Sequence, residues 1–174
     1  TNVGSATFSN TVNTKFIGVA YGGSSYLKLP VIFYNVRATL GAPAGTNNLA
    51  SVTIPAGFVG TTGDSFDIRV FGNSNGATTT RTITISVNGA SESYNLVQGS
   101  GYMWKFELKA QRSSSTSVDM IGMGSHETSM LMIGNVGKSC TSFANAGSIV
   151  ISSTVTGASD LTVRSIDIKF NPGT

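Results

Sequence analysis

Alternation is the feature that most limits how this chain can fold. Phe66, Ile68 and Val70 alternate with Asp67 and Arg69; Ile83, Ile85 and Val87 alternate with Thr82, Thr84 and Ser86. Trp104, Phe106, Leu108 and Ala110 alternate with Lys105, Glu107 and Lys109. A two-residue period places the two sets on opposite sides of an extended strand. Each segment then has one buried and one wet face, as antiparallel sheets do. Residues 26–40 read as another strand region with a break, bulge or edge at Pro30, which has no N–H to give a ladder. Residues 148–156 and 161–170 supply the last two strands. The nearest approach to a helical stripe, Met120 to Met132, is interrupted by Gly122 and Gly124, which weaken helices.

Turn chemistry separates these runs. Thr61-Thr62-Gly63-Asp64 precedes one strand, and Gly72-Asn73-Ser74-Asn75-Gly76 reads as a loop at an open end of the sheet. Asn88-Gly89 is a two-residue hairpin signal, because both residues tolerate positive φ. Ser113–Ser117 and Gly122–Ser129 read as further polar loops. About eight short strands with such turns predict an all-β, antiparallel jelly-roll sandwich. One domain is expected over residues 1–174, with residues 1–16 as an N-terminal arm or stalk junction. The final strand changes phase: Leu161 and Val163 are odd-numbered, whereas Ile166, Ile168 and Phe170 are even-numbered. Either a bulge lies near Arg164–Ser165, or the second face meets another surface such as a subunit interface.

Composition supports strands and turns. Only 11% of residues are charged and 21 are glycine, while the 40% hydrophobic content argues against disorder. Net charge is +3, and the eleven Lys and Arg are scattered rather than clustered, so no nucleic acid partner is expected. One cysteine, Cys140, excludes an intrachain disulfide and reads as a small buried hydrophobe. One His and one Cys do not make a zinc site, and no carboxylate spacing matches a calcium loop. No metal and no cofactor are expected. No apolar run approaches the ~18 residues of a spanning helix, so no membrane insertion is expected.

The candidate catalytic residues each have a simpler role. Asp64 and Asp67 read as a turn residue and a wet strand face. Glu107, Asp119 and Glu127 are the acids whose spatial pairing would signal glycoside hydrolysis. His126, the only histidine, lacks a G-x-S-x-G elbow and reads as a surface or loop residue. The reading is therefore non-enzymatic. Binding candidates come from small polar loops and aromatics near turns: Asn73, Ser74, Asn75, Tyr94, Tyr102, Ser114, Ser125 and His126. Core candidates are Phe66, Ile68, Ile85, Trp104, Phe106 and Ile168, with Trp104 as the anchor. Met120, Met123, Met130 and Met132 suit core or inter-subunit packing, since methionine adapts to irregular surfaces.

One stretch is more specific than composition. It reads SVTIPAGFVG at 51–60, TTGDSFDIRVFG at 61–72, TTRTITISVNG at 79–89 and MWKFELKAQR at 103–112, and the chain closes with VRSIDIKFNP at 163–172. This pattern resembles tail-fibre, tail-knob and other structural proteins of tailed bacteriophages: an I-P-A turn, a G-D turn into a strand, a Thr-rich hairpin and a Trp strand before a Ser/Thr tract. The likeness covers roughly residues 51–172, and residues 1–50 match less clearly. The resemblance implies a jelly roll related to the tumour-necrosis-factor fold (TNF-like), a homotrimer and a place on the virion. The function it implies is host attachment at a fibre or tail tip, through a host cell-surface receptor or glycan. The alternatives are a decoration or head-fibre protein that grips phage capsid protein, and a carbohydrate-binding module.

Overall fold

The computed structural model describes residues 18–20, 26–28, 31–37, 40–42, 44–75, 81–96, 101–127, 129–158 and 160–173. The expected N-terminal arm, residues 1–16, lies outside the described residues. The described residues form strands and no helix. Strands β1 (Gly18–Ala20) and β2 (Tyr26–Lys28) pair with each other. The others are β3 (Val31–Val36), β4 (Leu40–Gly41), β5 (Gly45–Ile54), β6 (Ser65–Ser74), β7 (Arg81–Val87), β8 (Ala90–Leu96), β9 (Tyr102–Arg112), β10 (Ser117–His126), β11 (Ser129–Ser139), β12 (Gly147–Val155) and β13 (Leu161–Asn171).

The larger sheet runs β11-β10-β9-β6-β13-β3, with β4 also pairing β13, and the smaller runs β5-β12-β7-β8. Without β4 and the β10–β11 hairpin, four strands remain in each sheet: 3-13-6-9 and 5-12-7-8. Among these eight strands the chain changes sheet at 3→5, 5→6, 6→7, 8→9, 9→12 and 12→13, whereas 7 and 8 form a hairpin within one sheet. Two interlocked Greek keys of this kind make a jelly roll. The β10–β11 hairpin lies between β9 and β12 in sequence and widens the larger sheet by two strands.

The inward phase of each strand forms one core. Phe66, Ile68, Ile85, Trp104, Phe106 and Ile168 are at most 2% exposed. At Asn88 and Gly89 both φ angles are positive, 53° and 95°, as the tightest hairpin turn requires. The phase change in β13 has an internal cause. Its register against β6 slips between Val163 and Ser165, and Leu161, Val163, Ile166, Ile168 and Phe170 all lie inside. The bulge explains the pattern without a subunit interface.

Four expectations about loops and rims are corrected. Gly72–Ser74 belong to β6 rather than to an open loop. A Cβ on Gly72 would lie 1.8 Å from the Thr162 carbonyl oxygen and 2.8 Å from Trp104 Cζ2, so glycine is required where β6 meets the bulged strand. Gly122–His126 is strand rather than loop. Gly124 points inward, and a Cβ there would lie 2.2 Å from the Tyr94 ring. Tyr94, a binding candidate expected near a turn, is instead 2% exposed and packs against Phe106 at 5.8 Å between ring centres. His126, expected at the surface, is 2% exposed because it takes an inward position at the end of β10.

Candidate functional site

The larger sheet has an outward face, and its register sets four side chains in one row. Phe71 of β6 lies opposite Lys105 of β9, Lys105 opposite Ser125 of β10, and Ser125 opposite Met130 of β11. At the end of this face is a shallow concavity of about 470 Å³, lined by Phe71, Gly101, Tyr102, Met103, Trp104, Lys105, Ser125 and Glu127. Gly101, at φ +80°, begins the wall and donates its N–H to the Ser74 carbonyl at 2.6 Å. Glu127 closes the wall with φ 51°, a conformation uncommon for a side-chain-bearing residue.

A buried polar pair supports the exposed ring of Tyr102. His126 Nε2 lies 3.0 Å from Ser74 Oγ, and the Ser74 hydroxyl donates to the Tyr102 carbonyl at 3.3 Å. The pair is sealed from solvent, with Ser74 at 0% and His126 at 2% exposure. Tyr102 meets the imidazole edge-on, with ring centres 5.6 Å apart and planes at 89°. Desolvation lowers the His126 pKa; Glu127 opposes that shift and Arg81 adds to it. The imidazole thus acts as a neutral strut between two strand ends.

The lining offers two kinds of contact. Phe71, Tyr102 and Met103 expose apolar surface at 38%, 37% and 62%. Ser125, Lys105 and Glu127 supply a hydroxyl, a cation and an anion beside it. Lys105 is steadied by Glu107 at 3.0 Å, and Glu107 also meets Arg69 at 3.3 Å. Flat apolar surface beside hydroxyl and charged groups suits a ligand with both a stacking face and hydroxyls, such as a sugar ring.

Of the binding candidates, Tyr102 and Ser125 come together here, with Ser74 and His126 beneath them. Asn73 is half-buried and its Oδ1 accepts from Arg164 Nε; Asn75 is exposed and donates to Thr162 Oγ1 at 2.6 Å. Ser114 sits at the opposite end of β9, where its hydroxyl lies 2.6 Å from Ser117 Oγ. Phe71, Met103 and Lys105 are not binding candidates from sequence, and Glu127 is one only as a candidate acid. The signal was present for three of them, since Phe71, Met103 and Lys105 share the outward phase of their strands.

The acids are dispersed. Asp64 is fully buried and accepts from the N–H groups of Gly60, Thr61 and Gly173, all within 3.0 Å, so it ties the end of the chain to a turn. Asp67 accepts from Asn171 Nδ2 at 2.7 Å. Glu107 lies opposite Met123, four residues from both Asp119 and Glu127, or roughly 13 Å by strand rise. Asp119 accepts from the Gly137 N–H at 2.7 Å. Cys140 is half-buried against the core, and burial raises its thiol pKa. Among the described residues, no cluster of three His, Cys, Asp or Glu is placed to hold a metal ion.

The chain matches no protein-family model and no curated protein. Among solved structures it is similar to a chain of infectious bursal disease virus, Gx strain, at 11% identity and TM-score 0.38, over 90% of this chain and 36% of that one. It is similar to a chain of T=1 particles derived from infectious bursal virus at 10% identity and TM-score 0.25, over 94% and 46%. A chain of the Gt strain gives 9% identity and TM-score 0.25, over 98% and 51%. The chain therefore spans between about a third and a half of the length of these chains.

Proposed function

We propose that this is a non-enzymatic surface domain of a tailed-phage virion that attaches to the host. Its ligand surface on this reading is the concavity between Phe71, Tyr102, Met103 and Glu127. The observation that carries the reading is this concavity itself, because the fold brings Tyr102 and Ser125 together with two further apolar side chains and an ion-pair-steadied lysine. The viral setting rests on the sequence pattern of residues 51–172. The ligand class is a cell-surface glycan or a polar receptor loop, held by stacking and by hydrogen bonds at the rim.

The test compares binding of the native chain, Tyr102→Ala and Ser114→Ala to host cells and to purified expanded capsids. Loss of cell binding in Tyr102→Ala alone, with no capsid binding by any form, supports attachment through the concavity. Capsid binding by the native chain without cell binding establishes the decoration reading instead. Release of reducing sugars from host polysaccharide, abolished by substitution of Glu107 or Glu127, overturns the non-enzymatic assignment.

A further inference from the structure

His126 is the one histidine of the chain, and it is buried at the end of β10, under the wall of the concavity. It lies opposite Trp104 of β9, the one tryptophan, and opposite Ser129 of β11. Ser74, at the end of β6, meets its Nε2, and the ring of Tyr102 stands edge-on to it. Tyr102, Ser125 and Glu127 line the concavity. They are therefore the cover and the chain neighbours of a single buried imidazole.

Few groups decide whether this imidazole can carry a proton. Arg81 of β7, on the opposite sheet and 0% exposed, disfavours a second positive charge there. Glu127, next in the chain, favours one. Among the described residues, β6, β9 and β11 bring Ser74, Trp104, the Tyr102 phenol and Ser129, and Tyr94 of β8 covers Gly124 two residues away. Lys105 of β9 lies on the outer face with Glu107. Residues 76–80 and 97–100, which join β6 to β7 and β8 to β9, carry no ionisable side chain. Desolvation dominates, so the closed fold holds the imidazole neutral. In water that penalty is gone, and a proton binds the opened form more tightly than the closed one.

We propose that His126 is an acid-operated latch, whose protonation frees the wall formed by Tyr102, Ser125 and Glu127 from the end of the sandwich while the rest of the fold stays closed. The imidazolium moves away from Arg81, toward Glu127 and water. Tyr102 loses the ring it stands on, and Trp104 loses a neighbour. The direction follows from linkage. The latch is shut above the ordinary value of 6.5, and the open form gains as pH falls through it toward the lowered folded value. Where the concavity is the ligand surface, as proposed above, acidification releases the ligand; the latch itself does not depend on that reading.

The test follows the full chain from about pH 7.5 to about pH 5. With one histidine, the imidazole proton resonances titrate alone. Protection of the backbone amides of residues 101–104 and 124–127, corrected for intrinsic exchange, should fall at least about threefold relative to those of β13. That fall should share the midpoint of the imidazole, and Trp104 emission should shift with it. In His126→Gln neither should change. An imidazole that titrates without these changes overturns the latch. So does one that stays neutral throughout, or the same loss of protection in His126→Gln. If that variant does not fold, the shared midpoint in the native chain decides. Binding to host cells over the same range separates the latch from the ligand reading. No binding at any pH counts against the concavity and not the latch, whereas binding that persists while the wall opens overturns release.

Discussion

Truncation of Trp104 tests the core most sharply. The indole is 2% exposed and lies across two strands, opposite Gly72 on β6 and His126 on β10. Its Nε1 is buried with no hydrogen-bond partner, so the ring contributes packing and carries an unsatisfied donor. Trp104→Ala loses the packing and leaves a cavity, at a cost of ~3–5 kcal/mol. For a chain of this length each kcal/mol moves the melting point by ~2–4 °C, which gives a fall of about 6–20 °C. Trp104→Phe keeps most of the ring and removes the unsatisfied donor, whose burial costs ~1–3 kcal/mol, so the net loss is expected to be less than half that of alanine. Urea midpoints for the three proteins decide it. Equal losses for Phe and Ala would refute the packing argument, because they would make the N–H, not the ring, the stabilising group.

Gly72→Ala is expected to cost at least ~2–3 kcal/mol, since its Cβ meets the Thr162 backbone carbonyl and the Trp104 ring; a neutral denaturant midpoint would contradict that contact. His126 has a folded pKa lowered by desolvation, so the unfolded chain binds more protons. Stability is then complete above the ordinary value of 6.5 and falls as pH drops through it toward the lowered folded value; urea midpoints across that window should fall for the native chain and stay flatter for His126→Gln. Glu92→Ala removes the carboxylate shared by Asn135 and Lys138. It is expected to cost ~1–2 kcal/mol, because Lys138 keeps partial solvent contact, and to speed hydrogen exchange in β11 more than in β9.

The sandwich was legible where large side chains mark the inward phase. Phe66, Ile68, Ile83, Ile85, Trp104 and Phe106 declare their strands, and Asn88-Gly89 declares its hairpin. Strand β10 was hidden because two of its inward positions are glycines, whose space is filled by other residues: Leu108 beside Gly122 and Tyr94 over Gly124. No periodic signal survives when the packing volume comes from a neighbouring strand. The same substitution misplaced Tyr94, whose sequence position near a turn did not reveal the glycine it covers. The phase change at 163–166 was visible, but deciding between bulge and interface needed the register against Gly72 and Phe71. For the site, Tyr102 and Ser125 were found from composition. Phe71 and Lys105 depend on the alignment of three strands, which one strand's pattern does not contain.

The most direct test of the attachment reading is gold-labelled antibody against this chain on intact virions. Label at the tail tip or fibre ends is the expected result. Label spread over the head, or none on the particle, would contradict the reading.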